Sequence, residues 1–117
     1  METALQAFEI EQIRGISVVR FVIDALTEEN FSMVVDELNT RLLPMRSRHV
    51  VVDLASIQHI DDMGLAMVQS LHDSIEERSG TAILCRLNPS VMNAFNASGL
   101  SKYLHIRSSF NEAVWTF

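Results

Sequence analysis

The run His49-Val50-Val51-Val52-Asp53-Leu54 constrains the fold more than any other stretch of this sequence. Three consecutive β-branched residues favour a strand, and a strand that is almost wholly apolar has no face to turn to water. It belongs inside a sheet that helices cover on both sides. Phe31, Val34, Val35, Leu38 and Leu42 recur at helical spacing before it, and Leu65, Val68, Leu71 and Ile75 after it. Thr27 is the expected N-cap of the first helix, with Glu28 and Glu29 in its first turn and Pro44 at its end. The second helix should close on Glu76-Glu77-Arg78-Ser79-Gly80, with Gly80 at the C′ position.

The remaining segments extend this pattern. Phe8 to Ile13 and Ile16 to Val22 read as a hairpin turning at Gly15. Thr81 to Leu87 reads as a further buried strand, and Pro89 opens a short helix that Gly99 ends. Tyr103-Leu104-His105-Ile106 is predicted as an edge strand. Ser109 to Phe117 is predicted as a last helix with Phe110, Ala113, Val114 and Phe117 inward. The order is ββαβαβαβα. It predicts an α/β fold: a mixed, mainly parallel sheet of about five strands with an antiparallel N-terminal edge strand. No linker or repeat divides the chain, so residues 1–117 read as a single domain.

Composition narrows the function. Apolar residues are 48% of the chain, enough for a core without disulfides or metal. The net charge of −6 disfavours nucleic acid, because binding phosphates requires a clustered basic face. Arg41, Arg46 and Arg48 with His49 are the nearest approach to one, and they fit a helix C-terminus better. Cys85 lies in an apolar run and reads as a small buried hydrophobe. No signal peptide is visible at the N-terminus, and no apolar run approaches the ~20 residues that span a bilayer. The expected setting is the cytoplasm, with no membrane insertion; a homodimer is allowed.

Ligand and partner sites in parallel sheets gather at the C-terminal ends of strands. Asp24 and Asp53 fall at such ends, and Asp61-Asp62 in the turn after Asp53. Acid–base catalysis needs carboxyls held apart across a substrate, which adjacent residues at a helix start do not provide. Asp24, Asp53 and Asp61 would have to converge to hold a metal, and their spacing does not demand it. A phosphoacceptor receiver domain needs an acidic pair on its first strand and a lysine after a late one. Here the pair is missing, and the lone Lys102 precedes the last strand. His49, His59, His72 and His105 are scattered, with no nucleophile partner, and no Gly-rich loop cradles phosphate. Hence no catalytic residue, metal or cofactor is expected. Asp61 suits an N-cap and Asp62 the positive end of the helix. Met63 lies off the apolar stripe, with Met67 one turn further, so two flexible apolar side chains beside two carboxylates suggest a protein-docking patch.

Val50-Val51-Val52-Asp53-Leu54-Ala55-Ser56-Ile57-Gln58-His59-Ile60-Asp61-Asp62-Met63-Gly64-Leu65 resembles the signature of STAS domains, the family of anti-sigma factor antagonists. Their pattern is an apolar strand, Asp-Leu, a spacer, then Ile-Asp-Ser-Ser-Gly-Leu opening a helix. The likeness extends to Asp24-Ala25-Leu26-Thr27 upstream, and to Gly99-Leu100 and Phe110-Asn111-Glu112-Ala113 downstream. The resemblance implies a non-enzymatic cytoplasmic regulator that binds a serine-kinase anti-sigma factor. In the family, that kinase phosphorylates the hydroxyl residue directly after the motif aspartate. Asp61 matches that aspartate and Gly64 the motif glycine, but Asp62 and Met63 replace the two serines. An aspartate is no substrate for a serine kinase, so the usual switch should be lacking. The implied partner surface is Asp24, Asp61, Asp62, Met63, Gly64 and Met67. Two other readings remain: a STAS subunit of a lipid-handling ABC transport complex, and a small-molecule sensor.

Overall fold

The computed structural model describes residues 6–117; the first five residues of the single-domain reading lie outside this part. Strands β1 (Phe8–Ile13) and β2 (Ile16–Phe21) form the hairpin. Arg14 and Gly15 join them at φ 55° and 82°, the left-handed pair that a two-residue turn needs to match strand twist. The other elements are β3 (Ala25–Leu26), α1 (Phe31–Glu37), β4 (His49–Asp53), β5 (His59–Ile60) and α2 (Asp62–Glu77). They are followed by β6 (Thr81–Cys85), α3 (Pro89–Ser98), α4 (Leu100–Tyr103), β7 (His105–Arg107) and α5 (Phe110–Trp115).

Five strands make one sheet in the order β1-β2-β4-β6-β7, with β1 alone antiparallel, as the sequence predicts. The alternating faces of β4 divide the core. Val50 and Val52 point into the larger cluster, with Val34, Leu65, Val68, Leu71, Ile75, Val91 and Phe95 from α1, α2 and α3. Val51 points the other way, toward Val18, Ile83, Cys85, Ala113 and Val114, where α5 is the cover. β4 is thus buried on both faces, and Cys85 with it. Burial pushes the Cys85 thiol up to about 12, leaving it protonated and inert.

The structure corrects several boundaries. Thr27 is not the N-cap of α1. Asn30 accepts the Thr27 N–H at 3.1 Å and donates to the Ala25 carbonyl at 2.8 Å, which holds residues 27–30 in a tight turn. Pro44 acts further upstream than expected. It has no N–H for an α-helical bond, and its ring would press on the Thr40 carbonyl. Leu38–Leu42 loosen into a π-helical turn, and Leu43–Met45 then tighten into a 3₁₀ turn. Arg41 alone among the nearby cations lies in the last turn of that segment.

At the end of α2 the left-handed residue is Ser79 (φ 66°), not Gly80. Ser79 N–H reaches the Glu76 carbonyl and Gly80 N–H the Ile75 carbonyl, the paired bonds of a Schellman end. Gly80 is needed for room, since a Cβ there would lie 2.8 Å from the Arg48 carbonyl oxygen. Tyr103 closes a helical turn, so the edge strand begins only at His105. Phe117 is exposed rather than inward; it lies past the end of α5 and stacks on His49 at 4.5 Å.

Candidate functional site

β2, β4 and β6 run parallel, so their C-terminal ends share one end of the sheet. A second, two-stranded sheet is built there. β3 pairs with β5 through Ala25↔His59 and Leu26↔Ile60. The Asp24 carbonyl extends this ladder by accepting the N–H groups of Gln58 and His59 at 2.7 and 3.2 Å, and the Leu26 carbonyl accepts the Asp61 N–H at 3.2 Å. The turn that opens α2 is therefore fixed to the loop after β2.

Asp61 makes the joint. Its backbone is extended, and its Oδ1 accepts the Gly64 N–H at 3.0 Å, the N-cap bond expected of it. Its Oδ2 accepts the Glu28 N–H at 2.9 Å from the turn before α1. These N–H groups, Glu28's first and Gly64's second, hold the Asp61 carboxyl below the usual carboxylate value. Asp61→Ala removes both acceptors, and we expect a melting temperature lower by about 5 °C, with Asp61→Asn recovering part of the loss. Circular-dichroism melts of the two variants check this.

The exposed surface of this joint is Asp62, in the first turn of α2, and Met63, which is 37% exposed. Asp24 is exposed on the adjoining loop, as is Val22, which the sequence reading did not single out. Beside the turn, Ile60, Asp62, Leu65, Ala94 and Ala97 line a shallow depression of about 320 Å³ that reaches α3.

Two of the proposed contact residues are placed beneath this surface. Gly64 is buried, and a Cβ on it would meet the Leu26 carbonyl oxygen at 2.0 Å. Its role is to let α2 start directly on β3. Met67 is 3% exposed and packs into the core, because its side of α2 faces α1, where it lines an apolar groove with Phe31, Val35 and Leu38. Neither offers a side chain beside Met63 and the carboxylates.

Asp53 does not converge with Asp24 and Asp61 either. It points to the α5 side of the sheet, fully buried, where Arg86 grips it with Nη2–Oδ2 at 2.7 Å and Nε–Oδ1 at 3.1 Å. Arg20 Nε adds a bond at 3.2 Å, and Asp53 Oδ1 accepts the Ala55 N–H at 3.0 Å. Burial raises the Asp53 carboxyl, but these donors together pull it below its ordinary value. Asp53 thus clamps three strand ends and starts the loop toward β5. The sequence shows the acid at the strand end but not the arginines, which stand 33 residues away on either side.

Ser56 in the same loop lies 2.7 Å from the Phe21 carbonyl and 2.6 Å from that of Ile23, so its hydroxyl is committed to the backbone. No helix among the described residues is long and apolar enough to cross a membrane.

Comparison with known proteins agrees with this geometry. A family model described as the STAS domain matches residues 7–113. The anti-sigma F factor antagonist of Paenibacillus polymyxa is 30% identical over 100 residues, which cover 84% of this chain and 83% of that protein. An anti-sigma-factor antagonist (STAS) domain protein from Planctomyces limnophilus superposes with a TM-score of 0.80 at 16% identity, covering 93% of this chain and 96% of that one. The Bacillus cell fate determinant SpoIIAA in its phosphorylated form gives a TM-score of 0.65 at 20% identity, covering 92% of this chain and 96% of that one.

Proposed function

This chain belongs to the STAS domain family and is of the anti-sigma factor antagonist type, and from that premise we propose that it binds a serine-kinase-like anti-sigma factor through the β5–α2 turn, without a phosphorylation switch. The observation that carries the reading is the exposed pair Asp62–Met63 at the start of α2, where the family resemblance puts the phosphorylated hydroxyl. A carboxylate there bears one negative charge and has no hydroxyl to modify, whereas a phosphoserine carries about −1.5 to −2. Nearby hydroxyls do not replace it. Ser56 is bound to two carbonyls, and Ser70 lies two turns further along α2, about 12 Å away at 1.5 Å per residue. The module works without catalysis, in the cytoplasm, and its partner tolerates the standing charge.

Incubation with ATP and a serine-kinase-like anti-sigma factor from the same genome tests both halves. The expected result is a stable complex in which the intact mass of the wild-type chain does not change, while Asp62→Ser gains one phosphoryl group. Phosphate on Ser56 or Ser70 of the wild type would overturn the loss of the switch, and absence of a complex would overturn the partner class. A parallel titration reads the charge itself. Tighter binding by both Asp62→Ser and Asp62→Ala would mean that Asp62 acts as a standing phosphate mimic.

A further inference from the structure

Folding brings together two of the histidines that the sequence scatters. His72 and Glu76 stand one turn apart on α2, and His105 opens β7 beside them. Glu76 Oε2 lies 3.6 Å from His72 Nε2 and 3.7 Å from His105 Nε2, and the three ligand atoms all fall within 4.8 Å of one another. Tetrahedral zinc with bonds of about 2.0–2.1 Å spaces its ligands by roughly 3.3–3.5 Å. Both histidine–carboxylate separations are close to that. The side chain of His105 is 46% exposed and has room to close the remaining gap.

The second observation is the state of His72. It is 7% exposed, and its Nδ1 lies 3.1 Å from Asp73 Oδ1, which also accepts the Tyr103 hydroxyl at 2.7 Å. A carboxylate oxygen only accepts, as Asp73 Oδ1 does from the Tyr103 hydroxyl, so Nδ1 is the donating nitrogen of the His72–Asp73 pair. Nε2 is the nitrogen left facing the cluster. It is buried, has no hydrogen-bond partner, and faces Glu76 across a gap too long for a hydrogen bond. A histidine oriented through Nδ1 by a carboxylate, with Nε2 bare, is the arrangement metal sites use.

We propose that His72, Glu76 and His105 bind a zinc-type divalent ion, with Asp73, anchored by Tyr103, orienting His72. Two imidazoles and one carboxylate suit zinc or cobalt, whereas calcium and magnesium want oxygen ligands throughout. The fourth position is open to water or to a group from another molecule. The ion would tie the C-terminal half of α2 to the edge strand β7. His72 lies nine residues beyond Met63, about 14 Å along the helix, so this site is separate from the docking turn.

The test is calorimetric titration of ZnCl₂ into the tag-free full chain after chelator dialysis, paired with the visible spectrum of the Co²⁺ form. The expected result is one ion per chain with a micromolar or tighter dissociation constant, and cobalt bands of tetrahedral intensity. His105→Ala, an exposed substitution that leaves the core untouched, should weaken binding at least tenfold, and Asp73→Asn by about tenfold. His59→Ala, on β5, should leave it unchanged. No stoichiometric uptake by the wild type, or equal losses in His59→Ala and His105→Ala, would overturn the site.

Discussion

Gly64→Ala should lower the unfolding free energy by about 3 kcal/mol, the upper end of the cost of overpacking. The added Cβ would stand 2.0 Å from the Leu26 carbonyl oxygen and 2.7 Å from Ile60 Cγ1. The first neighbour is backbone held in the β3–β5 ladder, so it cannot swing aside as a flexible side chain would. α2 must lift, and lifting it strains the Asp61 N–H bond to Leu26 as well as the core contacts of Leu65 and Val68. Urea denaturation should show a lower midpoint with an unchanged slope. A variant as stable as the wild type would mean that α2 does not rest on β3 in the way described.

Asp53→Ala should cost about 2–4 kcal/mol, because it leaves Arg20 and Arg86 facing each other without their shared counter-charge. Both arginines are partly exposed and can reach water, which keeps the loss below that of a fully enclosed pair. The same clamp predicts a pH dependence. The folded Asp53 carboxyl titrates below its ordinary value of 3.8, so the unfolded chain binds its proton first as pH falls. The clamp's contribution is complete above about pH 4 to 5 and is lost as pH drops through the depressed folded value. The stability gap between wild type and Asp53→Ala should therefore be constant near neutrality and shrink below about pH 4. A gap that stayed constant down to pH 2, or widened on acidification, would show that the Asp53 charge is not what binds the strand ends.

The sheet was legible because its signals are local. The apolar run at β4, the helical stripe of α2, Gly15 in the hairpin and Pro89 opening α3 each act within a few residues. What escaped the sequence depends on distant partners. Thr27 reads as a cap until Ala25–Leu26 is seen paired with His59–Ile60, more than thirty residues on. Asp53 reads as a candidate ligand until Arg20 and Arg86 close over it. Met67 looks like a surface residue on a helical wheel drawn around the Leu65-Val68-Leu71-Ile75 stripe. Packing against α1 widens the buried arc of α2 to include it. His72 and His105 meet only because β7 lies beside β6 at the sheet edge. At the turn itself, the carboxylates and Met63 were visible from the sequence, while the burial of Gly64 required the structure.

The most direct test of the account is whether the β5–α2 turn carries the binding energy. Calorimetric titration of the cognate kinase-like anti-sigma factor should be run with the wild type, Asp62→Lys, Met63→Ala and Trp115→Ala. Trp115 is 64% exposed on α5, which covers the opposite face of the sheet from α2, and serves as the control. The predicted result is a loss of at least tenfold, about 1.4 kcal/mol, in each turn variant and none in Trp115→Ala. Full affinity in both turn variants, with the loss appearing at Trp115 instead, would contradict it.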